Sequence, residues 1–102
     1  MELRKNERIA GITNIKIIDN EKSYPVILTN ISKTGLSVKS QFVFPTFKEI
    51  KTEMTINGKH FKISASIRWV NEHPQKSDPN FKEIGISLIN PPPEYIKLIE
   101  NL

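Results

Sequence analysis

The sequence predicts an all-β domain with one short C-terminal helix, and three features support this fold class. Apolar and polar residues alternate across residues 61–69, a period of two that fits a strand and not a helix. Shorter alternating segments recur between breaks rich in Asn, Gly, Pro and Ser. After residues 91–93, which are all proline, the apolar residues change to helical spacing. At 102 residues, the chain is long enough for one domain with a core.

Six strands follow from these alternations, in chain order at residues 15–18, 24–28, 36–38, 50–56, 61–69 and 84–88. Asn57-Gly58 has the residue types of a type I′ turn, so the fourth and fifth strands should form a hairpin. Pro74 and Pro79 predict an exposed loop in residues 71–80. Trp69 continues the apolar side of the fifth strand, which favours a core position over a base-stacking surface.

The last residues predict an amphipathic helix. Pro93 suits the first helical position and Glu94 suits the first turn. The apolar positions at helical spacing are Tyr95, Leu98, Ile99 and Leu102. Short strands with one terminal helix favour a six-stranded antiparallel barrel, because closing a sheet removes its exposed edges. The expected organisation is a basic arm at 1–11, the barrel at 12–90 and the helix at 91–102.

Composition limits the classes of function. The absence of cysteine excludes a disulfide framework and a thiol nucleophile. No apolar run reaches the roughly 18 residues of a membrane span, so a soluble cytoplasmic protein without membrane insertion is expected. The net charge of +4 comes from residues 1–51, where nine Lys or Arg face five Asp or Glu. This asymmetry favours an acidic partner such as a nucleotide, although solubilising surface lysines give the same balance.

Two short motifs carry the strongest functional signal. Two of the three arginines, Arg4 and Arg8, lie four residues apart at the start of the chain. Arginine offers a planar fork of donors that suits phosphate, carboxylate or a guanine edge. The segment 30–35 reads Asn-Ile-Ser-Lys-Thr-Gly after a short predicted strand. Together the motifs indicate an anion-binding module.

These motifs, R-x-x-x-R at residues 4–8 followed by [D/N]-x-S-x-x-G at 30–35, resemble those of the PilZ family, which binds cyclic di-GMP. The similarity extends over residues 4–102, including the ends of the last two strands and the final helix. It implies a stand-alone PilZ barrel in bacterial second-messenger signalling.

The resemblance also implies roles for individual residues. Arg4 and Arg8 would clamp guanine edges and phosphate from a flexible arm. Asn30 and Ser32 would offer polar atoms from a fixed wall, and Gly35 would allow a tight turn where a side chain would crowd the ligand. Lys5 and Lys33 would add attraction for phosphate.

Simpler interpretations stay open for each of these residues. The two arginines also fit a solvated terminus, residues 30–35 fit an ordinary turn, and the two lysines fit a charged surface. His60 and His73 lack the spacing and companion ligands of a metal site. Without a recognisable nucleophile and base, the sequence predicts a non-enzyme that needs no cofactor.

The preferred hypothesis is a receptor in which cyclic di-GMP orders the arm against the barrel. Output would then pass to an unidentified downstream protein, or through a homodimer, in the control of motility, adhesion or exopolysaccharide. The alternative is a PilZ-like adaptor with weak or no nucleotide binding. DNA or RNA binding is not expected, because Phe42, Phe44 and Phe47 have few basic neighbours.

Overall fold

One antiparallel sheet contains all the strands in the part of the chain that the structure describes. The structure is a computed structural model that describes residues 11–71 and 81–102. The elements are β1 (Ile12–Asp19), β2 (Lys22–Pro25), β3 (Ile27–Ile31), β4 (Gly35–Ser40), β5 (Glu49–Ile56), β6 (Lys59–Asn71), β7 (Lys82–Leu88) and α1 (Pro93–Glu100). The strand order is β2-β1-β5-β6-β7-β4-β3. The predicted fold class is confirmed.

The sheet curls into a half-barrel, and the connection between its edge strands explains why. β2 and β3 lie at opposite edges of the strand order, yet Val26 alone joins them. Strand neighbours lie only about 4.8 Å apart, so a flat sheet of seven strands could not bring its two edges together through one residue. The backbone N–H of Val26 donates a hydrogen bond to the carbonyl of Ile15 at 3.2 Å, which fixes the connection beside β1.

The predicted number of six strands is wrong, because residues 24–28 belong to two strands. Tyr24 pairs with Ile17 of β1, whereas Leu28 pairs with Val38 of β4. The two halves of one apolar segment therefore form the two edge strands of the sheet. Separating them raises the strand count to seven among the described residues.

The core lies on the concave side of the curled sheet and is built by alternation. On β6, for example, Phe61, Ile63 and Ile67 are buried between more exposed neighbours. The hydroxyl of buried Thr52 donates to the carbonyl of Ile63 at 3.2 Å, so this polar group is satisfied within the core.

The predicted hairpin at Asn57-Gly58 is confirmed. These residues join β5 to β6, and their φ angles are +49° and +84°. A type I′ turn requires positive φ at both central positions, which Asn and Gly tolerate better than other residues.

The predicted core position of Trp69 is wrong. Ile67 pairs with Ile86, but Trp69 pairs with the next residue along β7, Gly85, so Arg68 is an extra residue that forms a β-bulge. The bulge reverses the inside–outside alternation, because a shift of one residue moves a side chain to the other face. Trp69 consequently lies on the outer face with 46% of its surface exposed.

The predicted helix is confirmed as α1, which begins at Pro93 with Glu94 in its first turn. Tyr95 is fully buried, and its ring meets the ring of Phe61 edge to face at 5.9 Å. Leu102, which was predicted to lie on the apolar face, follows the end of the helix and is exposed. No helix in the described ranges is long and apolar enough to cross a membrane.

Candidate functional site

The second sequence motif forms the connection between β3 and β4. Within it, the hydroxyl of Ser32 accepts hydrogen bonds from the N–H groups of Thr34 and Gly35 at 3.3 and 3.2 Å. The same hydroxyl donates to the carbonyl of Gly35 at 3.2 Å, and the N–H of Ser32 donates to that carbonyl at 2.8 Å. A serine hydroxyl has one donor and two acceptor positions, so these contacts use all three. Ser32 therefore shapes the loop.

Gly35 is required by the neighbouring strand. A Cβ atom at this position would lie 2.5 Å from the backbone carbonyl oxygen of Ile86 on β7. That oxygen belongs to a paired strand and cannot move aside without breaking the register of Gly35 with Ser87. The expected reason for this glycine was crowding of the ligand, and close packing of β4 on β7 supplies a reason within the protein itself.

Asn30 is exposed and lies one residue after a second β-bulge, between Leu28 and Asn30. Its side-chain oxygen accepts a hydrogen bond from the N–H of Ile31 at 2.9 Å. This bond fixes the amide while leaving its NH₂ group able to donate to a bound molecule.

Trp69 lies beside this motif and was missed as a site residue by sequence reasoning. Its indole covers Gly85 so closely that a Cβ atom there would lie 2.2 Å from the ring. A glycine between two isoleucines within a strand was the available signal, because an aromatic ring can pack over the space that a missing side chain leaves.

The motif and the indole together line a shallow, open cleft of about 220 Å³ on the outer face of the sheet. Its lining residues are Asn30, Ile31, Ser32, Gly35, Leu36, Ser37 and Trp69. The cleft combines an exposed aromatic surface with polar groups, which is the chemistry that holds a nucleobase.

The loop between β3 and β4 is fixed by hydrogen bonds from the neighbourhood of helix α1 and from strand β7. The buried hydroxyl of Tyr95 donates to the carbonyl of Ser32 at 2.8 Å, and the N–H of Leu88 donates to the carbonyl of Thr34 at 2.9 Å. Burial raises the pKa of Tyr95 to about 12, so its hydroxyl stays protonated and able to donate even near pH 10, where an exposed tyrosine begins to ionise.

Among the basic residues predicted to contact the ligand, the structure describes Lys33 alone. Its ammonium nitrogen lies 3.2 Å from a carboxylate oxygen of Glu100, and both side chains are exposed. Such a surface ion pair is weak, contributing about 0 to 1 kcal/mol, so an anion could displace it at little cost. Arg4, Lys5 and Arg8 lie outside the described residues.

A larger cavity of about 560 Å³ lies away from the motif, on the outer face of β1, β5 and β6. Both acidic and basic side chains line it, and two of the acids have cationic or imidazole partners: Lys48 lies 3.6 Å from Asp19, and His60, outside the lining, lies 2.9 Å from Glu53. Its mixed charge selects neither anions nor cations. In the described ranges no group of three or more His, Cys, Asp and Glu side chains is placed to hold a metal ion.

Comparison with known protein families shows which family the chain belongs to. The family model of the PilZ domain matches residues 2–102, which is essentially the whole sequence. The match includes both the N-terminal arginine motif and the loop between β3 and β4. A search of curated proteins found no match. The chain belongs to the PilZ domain family.

Proposed function

We propose that this PilZ domain is a receptor for cyclic di-GMP that passes the signal to a partner protein by binding rather than by catalysis. The observation that carries the proposal is the cleft in which Trp69 lies beside Asn30, over a loop fixed by internal hydrogen bonds. Family membership supports the same ligand class.

The chemistry of the cleft suits one end of a cyclic dinucleotide. The exposed indole of Trp69 offers a face on which a guanine can stack, an interaction worth about 1 to 3 kcal/mol per base. The amide NH₂ of Asn30 can donate to the O6 or N7 acceptors of that guanine. Because the loop is already ordered, little conformational entropy is lost in forming this half of the site.

The arginines of the first motif supply the other half of the proposed site. Arg4 and Arg8 would contact phosphate and the second guanine edge from the N-terminal arm, which becomes ordered on the bound nucleotide. Lys33, freed from Glu100, would add attraction for a phosphate. The ligand would thus join the arm to the cleft.

Calorimetric titration tests the proposal. Wild-type protein, Arg4→Ala, Arg8→Ala and Trp69→Ala would each be titrated with cyclic di-GMP, cyclic di-AMP and GMP. Selective binding of cyclic di-GMP is expected, with a loss of about 1 to 3 kcal/mol in each variant, the size of one bidentate or stacking contact. Lys62→Ala is the matched control, because this exposed basic residue lies on the outer face away from the cleft. A folded Arg8→Ala variant with unchanged affinity would contradict the role of the arm.

A specific observation also favours a second function, that of a protein-binding adaptor. All hydrogen-bonding positions of the Ser32 hydroxyl are used within the loop, so this atom contacts a ligand only if the loop rearranges. Absence of binding by folded wild-type protein in the same titration would favour the adaptor.

A further inference from the structure

Phe47 stands out among the exposed apolar residues. It lies in the connection between β4 and β5, and 72% of its surface is exposed, more than for any other large apolar residue that the structure describes. Its φ angle is +70°. Positive φ is costly for a bulky side chain, and here burial of the ring does not compensate for the cost.

The backbone around Phe47 is nevertheless firmly held. Its N–H donates to the carbonyl of Ile67 at 2.6 Å, and the N–H of Ile67 donates to the carbonyl of Lys48 at 3.0 Å. The N–H of Lys48 donates to the carbonyl of Pro45 at 3.2 Å, closing the turn. The aromatic ring is therefore presented to solvent from a rigid and strained position rather than from a loose loop.

Arg68 completes an aromatic and cationic cluster on this surface. The alternation of β6 places Arg68 on the outer face, and its guanidinium carbon lies 6.0 Å from the centre of the Phe47 ring. In residues 11–71 and 81–102, the nearby Lys48 is paired with Asp19, whereas Arg68 has no carboxylate partner. Contact with the ring orients the guanidinium while leaving its N–H donors available.

We infer that Phe47 and Arg68 form a docking point for a partner protein that presents a carboxylate beside an apolar side chain. A scattered exposed apolar residue needs no explanation, but a strained, rigid aromatic ring beside an arginine that has no carboxylate partner among the described residues has the composition of an interface hot spot. The net charge of +4 favours an acidic partner. Trp69 follows Arg68 on the same outer face and lines the cleft, so the docking point borders the proposed nucleotide site.

The inference uses the partner-binding half of the proposed function and does not depend on nucleotide binding. Its test is selection of a displayed library of random short peptides on the full wild-type chain. Enriched peptides are expected to carry Asp or Glu beside a large apolar residue. Their synthetic forms should bind at least tenfold more weakly to Phe47→Ala and to Arg68→Gln. Replacing the acidic residues of these peptides by Asn or Gln should weaken their binding to the wild type by a similar factor.

Two further variants keep the result interpretable. Phe47→Gly removes the ring and the strain together, so it should fold at least as well as the wild type in urea and still lose the peptide. Lys62→Gln, an exposed basic residue of the same strand as Arg68, should bind the peptide normally. Absence of enriched acidic peptides, or peptide binding that is insensitive to Phe47 and Arg68, would overturn the inference.

A titration with cyclic di-GMP separates this inference from the proposed function. Arg68→Gln should bind the nucleotide as the wild type does, because Arg68 does not line the cleft. A loss of nucleotide affinity in this variant would assign Arg68 to the ligand and overturn its role in docking. If the wild type bound the selected peptides but not cyclic di-GMP, the receptor proposal would be contradicted and the docking point would stand.

Discussion

At the scale of single residues, the most informative pair is Trp69 and Gly85. The alternation along β6 correctly predicted the buried positions as far as Ile67. It failed at Trp69 because a β-bulge depends on the partner strand, and the pairing with Gly85 cannot be read from β6 alone. Sequence reasoning thus missed the aromatic residue of the cleft because its side-chain direction is decided by a contact between strands.

Replacing Gly85 by alanine should displace the indole. The new Cβ atom would lie 2.2 Å from the Trp69 ring, which must rotate away from its place in the cleft. Since Trp69 is the single tryptophan, its fluorescence reports this movement directly. We expect a shift in emission wavelength, greater quenching by acrylamide and weaker binding of cyclic di-GMP.

Gly58→Ala is the control for this substitution. A Cβ atom at Gly58 meets nothing within 4 Å, although its φ of +84° makes the change cost about 1 kcal/mol. Its fluorescence should match that of the wild type. If Gly85→Ala also kept the wild-type spectrum, the packing of the indole over Gly85 would be incorrect.

At the scale of secondary-structure elements, α1 is joined to the motif loop through Tyr95. The sequence predicted the helix and its apolar face, but the hydrogen bond to Ser32 spans 63 residues and leaves no local pattern. In the same way, residues 24–28 look like one strand because nothing local shows that its halves pair at opposite edges of the sheet. Local spacing predicts elements well, whereas their partners depend on the folded chain.

Tyr95→Phe isolates the link between the helix and the loop. The ring stays in the core, and only the bond from its hydroxyl to the Ser32 carbonyl is lost. We expect the free energy of unfolding in urea to fall by about 1 kcal/mol. Nucleotide affinity should fall as well, because the carbonyl of a motif residue is no longer held. Unchanged nucleotide affinity, with the expected loss of stability, would limit Tyr95 to a structural role.

The pH dependence of stability provides a second measurement on Tyr95. Its pKa is 10.0 in the absence of burial and about 12 in the folded protein, so above pH 10 the unfolded state loses its proton first. The stabilisation that the protonated Tyr95 hydroxyl gives to the folded state is therefore fully present below pH 10 and is lost as pH rises towards 12. Over this range, wild-type stability should fall more steeply than that of Tyr95→Phe, as measured by urea unfolding at each pH. Parallel curves would show that Tyr95 ionises equally well in both states.

At the scale of the whole molecule, the number of strand-forming segments and the terminal helix predicted an all-β domain, and the half-barrel follows from connectivity. With Val26 alone joining the two edge strands, the sheet must curl, and its outer face carries both the cleft and the Phe47–Arg68 docking point. The charge asymmetry predicted an anionic partner but could not place it. The position of the cleft on the surface depends on the bulge in β6 and on the register of β4 with β7.

Binding at this surface should stabilise the entire domain, because a ligand that binds only the folded state raises its free energy of unfolding by mass action. At a cyclic di-GMP concentration of about 100 times Kd, the gain is about 2.7 kcal/mol. For a domain of 102 residues, each kcal/mol raises Tm by roughly 4 to 8 °C, so a shift above about 10 °C is expected in a thermal melt.

At the same concentration, Arg8→Ala should show a much smaller shift, since each tenfold loss of affinity removes about 1.4 kcal/mol. Phe47→Ala should keep the full shift, because its ring lies outside the cleft. An equal rise in Tm with GMP would contradict recognition of a dinucleotide. Loss of the rise in Phe47→Ala would show that Phe47 belongs to the nucleotide site and would contradict a separate docking point.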